Sequence, residues 1–193
     1  MFQVRIHGRG GQGVVTAAEM LSIAGFLENR HTQAFPSFGS ERMGAPVMAF
    51  CRFDDKPIRL REPVMAPDAL IIQDTTLLHQ VSLFEGMSDQ GYVLINSRRS
   101  TSELGLDEFF DAHPAIQVVT VPASRLAQEH VGRPLPNAAL LGGFAALTGI
   151  IQIDAVARAM GENFSGNGAR GNIAAARAAY DSLLTTQGAR TAC

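Results

Sequence analysis

The stretch FQVRIHGRGGQGVVTAAEMLSIAGF, residues 2–26, decides the fold of this chain. Its first part, residues 2–7, alternates apolar and polar side chains, which predicts a β-strand. Residues 8–13 follow as a glycine-rich turn, and residues 14–26 then carry apolar side chains at helical spacing. A strand, a glycine-rich turn and a helix in this order open a βαβ unit.

The rest of the chain continues the alternation of strands and helices. Apolar runs bounded by turn residues predict strands at 31–35, 47–53, 68–74, 91–96 and 116–121. Residues 58–61 alternate after a turn at 54–57, and we expect them to return as a strand that forms a hairpin with 47–53. Helical patterns occupy residues 75–84, 103–110, 123–130, 138–151, 154–164 and 172–187, with Asn137 as an N-cap and a break at 166–168. We therefore predict a single α/β domain over 1–193. It is Rossmann-like, with a mostly parallel sheet, helices on both faces, a hairpin insertion and a helical C-terminal part.

Composition excludes several classes of protein. The 193 residues include 16 Lys and Arg against 18 Asp and Glu, a net charge of −2, and 46% are apolar. This balance excludes an intrinsically disordered chain and argues against a nucleic-acid or anionic-membrane partner. The longest apolar run is about 14 residues, short of the roughly 20 that span a bilayer. We expect no signal peptide and a cytoplasmic location.

Cysteine and histidine positions argue against a metal or cluster site. Cys51 and Cys193 lie far apart without a CxxC pair, so no cysteine-ligated zinc or iron–sulfur cluster is expected. Cys51 lies in an apolar run and is expected to be a small buried hydrophobe. The five histidines show no pair at metal-ligand spacing, so we predict no metal ligands on this chain.

The glycine turn permits three interpretations. Gly8, Gly10 and Gly13 match the dinucleotide-binding fingerprint, in which glycines admit a phosphate to a helix N-terminus. That fingerprint also needs an acidic residue at the end of the second strand, but Glu28 precedes the strand instead. The glycines can also serve tight strand-to-helix packing alone. A third role is at a seam between subunits, near a cofactor that another chain holds.

A second informative segment is FPSFGSERMG, residues 35–44. Its prolines and glycines predict a loop that holds Glu41 beside Arg42. This charge pair can be an ordinary solvated pair. The aromatic residues Phe35 and Phe38 favour a loop that docks on a partner or cofactor instead, because exposed aromatic surface is costly in water.

Three positions at strand ends carry further candidate groups. His7 could bind a phosphate or relay a proton, but we expect a hydrogen-bonded histidine at the end of the first strand. Asp74 is expected to cap the helix that follows it. Asn96 and Ser97 are expected to stabilise a turn, with ligand binding as the alternative.

Taken together, five segments of the chain resemble a known family. They are residues 8–18, 35–46, 67–71, 94–97 (LINS) and 137–146 (NAALLGGFAA), and they run in order over about the first 165 residues. They are similar to the gamma subunit of the 2-oxoacid:ferredoxin (acceptor) oxidoreductases, of which pyruvate:ferredoxin oxidoreductase is the best-known member. The loop departs from the family's pattern at Ser40, where a proline is usual, and at Met43, where an arginine is usual.

The resemblance implies one part of a larger enzyme that oxidatively decarboxylates a 2-oxoacid to an acyl-CoA. It implies thiamine diphosphate, magnesium and iron–sulfur clusters, held mainly by thiamine-binding and iron–sulfur subunits that are the partners of this chain. Whether CoA contacts this chain, which 2-oxoacid is used and which acceptor takes the electrons stay open. A free-standing NAD(P)-binding dehydrogenase and a noncatalytic scaffold subunit are the alternatives.

On this basis we predict no catalytic residue on the chain itself. The predicted cofactor-approach residues form the glycine turn: Gly8, Gly10, Gly11, Gln12 and Gly13. The residues predicted at the seam with other subunits lie on the second segment: Ser37, Phe38, Glu41, Arg42 and Gly44.

Overall fold

A six-stranded sheet forms the centre of the computed structural model, which describes residues 1–37 and 43–191. The strands are β1 (Phe2–Arg9), β2 (His31–Pro36), β3 (Pro46–Asp54), β4 (Ala69–Ile72), β5 (Tyr92–Asn96) and β6 (Gln117–Val121). The α-helices are α1 (Val14–Leu27), α2 (Asp107–Ala112), α3 (Ala123–Val131), α4 (Asn137–Thr148), α5 (Ile153–Asn163) and α6 (Gly166–Thr191). The predicted α/β class and the helical C-terminal part are confirmed.

The sheet has the strand order β2-β3-β1-β4-β5-β6 and is mostly parallel, as predicted. β1, β4, β5 and β6 pair in parallel, whereas β3 runs antiparallel to both of its neighbours, β1 and β2. The hairpin is therefore present, but its partner was predicted wrongly. Residues 58–61 form no strand, because β1 and β2 already occupy both edges of β3.

The two faces of the sheet are covered unequally. Alternate residues of β1, Val4 and Ile6, belong to the main core, together with residues of α1, α4, α5 and α6. On the opposite face, Leu70 and Ile72 of β4 belong to a smaller core with the region around α2. Helices thus lie on both faces, but the long ones pack on one. All four residues of β4 are buried, as expected for an inner strand of a parallel sheet.

Several helix boundaries differ from the predicted ones. The predicted helix at 75–84 is only a 3₁₀ helix, Thr75–His79. The predicted helix at 103–110 is divided, because Gly105 takes a left-handed conformation (φ 72°) between the 3₁₀ helix Ser102–Leu104 and α2. The predicted break at 166–168 is instead the first turn of α6.

α4 lies at the centre of the helical layer and packs closely on α6. A Cβ atom added at Gly142 would lie 1.9 Å from the carbonyl oxygen of Ala176 on α6, whereas at the next residue, Gly143, its nearest neighbours would be leucine side chains at 3.4 Å. Only glycine therefore fits at position 142 in this packing. Among the described residues, no helix combines the length and apolarity that crossing a membrane requires.

Candidate functional site

The glycine turn lies at the carboxyl end of β1, where the chain changes direction across the sheet. After β1 the chain builds β2 and β3 on one side, and only then β4 on the other. In open α/β sheets this switch point is where ligands bind. The Gly10 N–H donates to the Ala45 carbonyl (2.9 Å), and the Gly44 N–H donates to the Gly10 carbonyl (3.1 Å). The structure therefore brings Gly10 and Gly44, from the two predicted segments, into direct contact.

Packing and backbone conformation by themselves favour glycine at three positions of the turn, Gly8, Gly11 and Gly13. A Cβ atom at Gly8 would lie 2.6 Å from a methyl group of Val14, and one at Gly13 would lie 2.5 Å from the side-chain amide of Asn137. Gly11 and Gly13 also have positive φ angles of 92° and 72°, which favour glycine. The packing interpretation is therefore sufficient for these positions, and cofactor approach stays a prediction.

Asn137 was predicted as the N-cap of α4, and this prediction is wrong. The helix begins at Asn137, with Pro136 in the N-cap position. The side-chain oxygen of Asn137 accepts a hydrogen bond from the N–H of Ala138 at 2.9 Å. The rest of the side chain lies against Gly13, so Asn137 joins the start of α4 to the start of α1.

Gln12 holds the glycine turn in shape through both ends of its side chain. Its oxygen accepts from the N–H of Arg9 (2.8 Å), and its nitrogen donates to a carboxylate oxygen of Asp74 (2.9 Å). Asp74 also caps the 3₁₀ helix that begins at Thr75, as predicted. Although burial acts to raise it, the pKa of Asp74 lies below its ordinary value, because Thr76 and Gln12 hydrogen-bond the carboxylate and Arg9 lies nearby.

Arg9 connects the turn to the end of the second segment. Its guanidinium donates to the Gly44 carbonyl (2.9 Å) and to the side chains of Thr76 (2.6 Å) and Gln80 (2.9 Å). It also lies 3.3 Å from the carboxylate of Asp74. These contacts fix the position of Gly44 relative to β1 and β4.

A cavity of about 740 Å³ adjoins this edge, over β1 and β3 on the face without long helices. Ser37, the last described residue before position 43, lies in its wall, and its N–H donates to the Met48 carbonyl at 2.8 Å. The walls are largely apolar. The lining residues are Arg5, His7, Ser37, Ala45, Pro46, Val47, Met48, Phe50, Pro63, Val64, Met65, Leu77, Val81, Ser82 and Glu85.

Two buried polar residues of β1 line this cavity. Arg5 is 6% exposed and donates to the carbonyls of Leu83 and Glu85, both at 2.8 Å. His7 is 7% exposed, and burial together with the nearby Arg5 lowers its pKa to about 3, so the imidazole is neutral at pH 7. Nε2 of His7 has no hydrogen-bond partner within the described part of the chain. The expected hydrogen-bonded strand-end histidine is therefore not observed at this atom.

The predicted seam residues are only partly visible in the structure. Phe38, Glu41 and Arg42 lie outside the described residues. On the two sides of these residues, Ser37 lies in the cavity wall and Gly44 contacts Gly10 of the glycine turn. Met43 is 87% exposed at the same edge, and Met65, on the cavity wall, is 72% exposed. Two large apolar side chains are thus presented to solvent around the site.

Arg5 and the cavity were missed at the sequence level, and His7 was singled out there but its burial was not predicted. An arginine and a histidine that alternate with Val4 and Ile6 look like the solvent face of a strand. The segments around Val64 and Leu83 bury them, and those contacts are distant in sequence.

Asn96 stabilises the start of α3 and not a local turn, so the turn interpretation was wrong for this residue. Its side-chain amide donates to the Gln73 carbonyl and to Ser124 (both 2.8 Å), and its oxygen accepts from the N–H of Ser124 (3.1 Å). Ser97 does stabilise a local turn, because its hydroxyl accepts from the N–H of Arg99 at 2.9 Å.

The structure offers no ribose anchor of the dinucleotide-binding kind at Glu28. Its carboxylate accepts from the N–H of Gln152 at 2.7 Å, and β2 ends at Phe35 and Pro36 without an acidic residue.

Cys51 is fully buried, and burial raises its pKa, which fits the expected packing role. Within residues 1–37 and 43–191 no three histidine, cysteine or acidic side chains are grouped as metal ligands.

Comparison with known proteins gives consistent matches. The sequence model of the family described as pyruvate ferredoxin/flavodoxin oxidoreductase matches residues 3–182. The chain is 43% identical to pyruvate synthase subunit PorC of Methanocaldococcus jannaschii, over 97% of this chain and 100% of that protein. It is 42% identical to the pyruvate/ketoisovalerate oxidoreductases common subunit gamma of Pyrococcus furiosus, over 94% and 96%. The crystal structure of pyruvate oxidoreductase subunit PORC of Thermotoga maritima superposes with a TM-score of 0.80 at 31% identity, covering 93% of this chain and 95% of that one.

Proposed function

Because this chain belongs to the pyruvate ferredoxin/flavodoxin oxidoreductase family and is a gamma subunit of a pyruvate/2-oxoacid:ferredoxin oxidoreductase complex, we propose that it shapes the approach to an active site whose reactive groups are on other subunits. The complex oxidatively decarboxylates a 2-oxoacid to an acyl-CoA. This chain packs as one domain beside the cofactor-bearing subunits, with the carboxyl edge of β1 turned toward them.

One observation carries this proposal. The glycine turn, both described ends of the second predicted segment and an apolar cavity all meet at one edge of the sheet. Met43 and Met65 are 87% and 72% exposed there, although large apolar side chains are normally buried. Exposed apolar groups beside a buried polar floor are typical of a surface that another protein covers.

The cofactors of the reaction belong to the partner subunits in this proposal. Thiamine diphosphate with magnesium supplies the decarboxylation chemistry, and iron–sulfur clusters carry the electrons away. Among the described residues no three histidine, cysteine or acidic side chains are grouped as metal ligands, and Cys51 is packed in the core. The partners in this proposal are a thiamine-binding subunit and an iron–sulfur subunit, and the proposed location is the cytoplasm.

The contribution of this chain is to position its own backbone and to exclude water. Arg9 and Gln12 fix the glycine turn and Gly44 relative to Asp74, so the edge is rigid before any partner arrives. The N-terminus of α1, which follows this turn, then favours an anionic group, such as a phosphate of CoA on its way to the active site. Such preorganisation lowers the entropy cost of binding.

Co-expression with candidate partner subunits tests the proposal. We expect the tagged chain to recover a thiamine-binding and an iron–sulfur subunit, and the assembled complex to reduce ferredoxin with a 2-oxoacid and CoA. The chain alone should show no such activity. An isolated, monomeric chain with full activity would contradict the proposal.

The two alternatives give different results in the same preparations. A free-standing dehydrogenase would bind NADH tightly, and we expect a fluorescence titration of the isolated chain to show no saturable binding. A pure scaffold would leave turnover unchanged when Glu41 and Arg42 are both replaced by alanine in an intact complex. We expect turnover to fall, with assembly preserved.

A further inference from the structure

The floor of the cavity over β1 and β3 contains buried polar atoms without partners. Arg5 and His7 are both more than nine-tenths buried and line the cavity. Nε of Arg5 and Nε2 of His7 have no hydrogen-bond partner in the part of the chain that the structure describes. Buried polar groups are almost always hydrogen-bonded in folded proteins, so these two atoms require a partner group that the described residues do not supply.

The positive charge of Arg5 on this floor is also not in direct contact with a negatively charged group of the described residues. The guanidinium of Arg5 donates to the carbonyls of Val64, Leu83 and Glu85, but none of the ion pairs among the described residues includes Arg5. The acid that acts on it, Glu85, has an exposed side chain at the cavity rim. Buried cations are normally paired with an anion. An incoming carboxylate would therefore be complementary to the floor.

The apolar residues of the cavity wall and rim favour a ligand that carries apolar groups next to its carboxylate. Phe50, Val64 and Leu77 are buried wall residues, whereas Met65 and Val81 leave 72% and 39% of their surface in water. The volume of about 740 Å³ lies in the range of pockets that enclose a whole ligand, so it accommodates several side chains at once. A free carboxylic acid would fill the floor and leave the exposed rim uncovered.

We infer that this cavity receives a segment of a neighbouring subunit in which an acidic side chain is flanked by apolar ones. The acidic group reaches the floor formed by Arg5 and His7, and the apolar side chains cover Met65 and Val81. This inference rests on the proposed function, since it assumes that the chain works inside a complex. It names the surface and the chemistry of the partner segment, which the proposed function leaves open.

Site-specific photo-crosslinking tests the inference in the assembled complex. A benzophenone amino acid replaces Met65 in one preparation and Phe26 in a control, because Phe26 is 70% exposed but lies on α1, away from the cavity. We expect the probe at 65 to capture another subunit and the probe at 26 to capture at least tenfold less. Mass spectrometry should find Asp or Glu between apolar residues in the captured peptide. Capture of a second copy of this chain, of a peptide without an acid, or of equal amounts by both probes would overturn the inference.

Two charge substitutions supply an independent measurement. Met65→Asp removes apolar contact and repels an incoming acid, whereas Phe26→Asp makes the same charge change elsewhere. We expect Met65→Asp to lower the recovery of partner subunits at least tenfold and Phe26→Asp to stay within twofold of the wild type, with equal circular dichroism spectra. If the wild-type chain recovers no partner, the proposed function fails. If it does and Met65→Asp recovers as much, only the present inference fails.

Discussion

The burial of His7 predicts a specific loss of stability in mild acid. Its pKa is about 3 in the folded chain and would be near 6.5 in the unfolded chain, because burial and Arg5 both oppose its protonation. Between these values the unfolded chain binds the proton and the folded chain does not. The stabilising contribution is therefore complete above pH 7 and is lost as the pH falls from 6.5 toward 3.

The size of the effect follows from these two pKa values. At pH 5 the unfolded imidazole is almost fully protonated and the folded one is neutral, so His7 costs about 2 kcal/mol relative to pH 7. For a chain of 193 residues this corresponds to a decrease of roughly 4–8 °C in the melting temperature. Carboxylates add their own acid dependence, so the informative quantity is the difference between the wild type and a variant without the imidazole.

Urea denaturation at pH 7, 6 and 5 measures this difference for the wild type and His7→Leu. We expect the wild type to lose about 2 kcal/mol more than His7→Leu between pH 7 and 5. The control is His31→Leu, since His31 is exposed on β2 and its replacement should keep the wild-type dependence. Equal slopes for the wild type and His7→Leu would refute the burial argument, whatever the absolute stability of the variant.

Three further predictions concern packing and reactivity. Gly142→Ala should destabilise the chain by about 2 kcal/mol or more, because the new methyl group meets the backbone of α6. Gly143→Ala should be neutral or stabilising by up to about 1 kcal/mol. Thermal melts of the two variants measure this difference. Gln12→Ala should cost about 1–3 kcal/mol in urea denaturation, because it frees a backbone N–H and a carboxylate oxygen, and an unchanged midpoint would contradict the bracing role. In a Cys193→Ser background, Cys51 should react with a thiol reagent only after unfolding, and rapid reaction of the native chain would show that it is accessible.

The fold was largely predictable because its signals are local. Apolar runs of strand length and the glycine turn after β1 are visible without knowing the rest of the chain. The strand predicted at 58–61 failed for a non-local reason. Its alternation suits a strand, but pairing depends on which edges are free, and β1 and β2 occupy both edges of β3. The antiparallel direction of β3 likewise depends on its pairing with β1 and β2, which is not a local property of its sequence.

The candidate site was predictable only in part. The glycine turn and the segment at residues 35–44 were recognisable from their glycine and proline content. The hydrogen bond between Gly10 and Gly44 agrees with a site that the two segments share. Arg5 gave no such signal, and the position of His7 at a strand end did not indicate its burial, because a polar residue on an alternating strand normally faces water. Their burial depends on segments that lie 59 and 78 residues further along the chain from Arg5.

Arg5 has a mechanical consequence for the cavity above it. One guanidinium joins the carbonyl of Val64 on one wall to those of Leu83 and Glu85 on the other. Arg5 therefore fastens both walls to β1, in addition to the direct hydrogen bond from the Ser88 N–H to the Pro67 carbonyl, and displacement of either wall is transmitted to the other through β1. A change at this one side chain would widen the opening on both sides together.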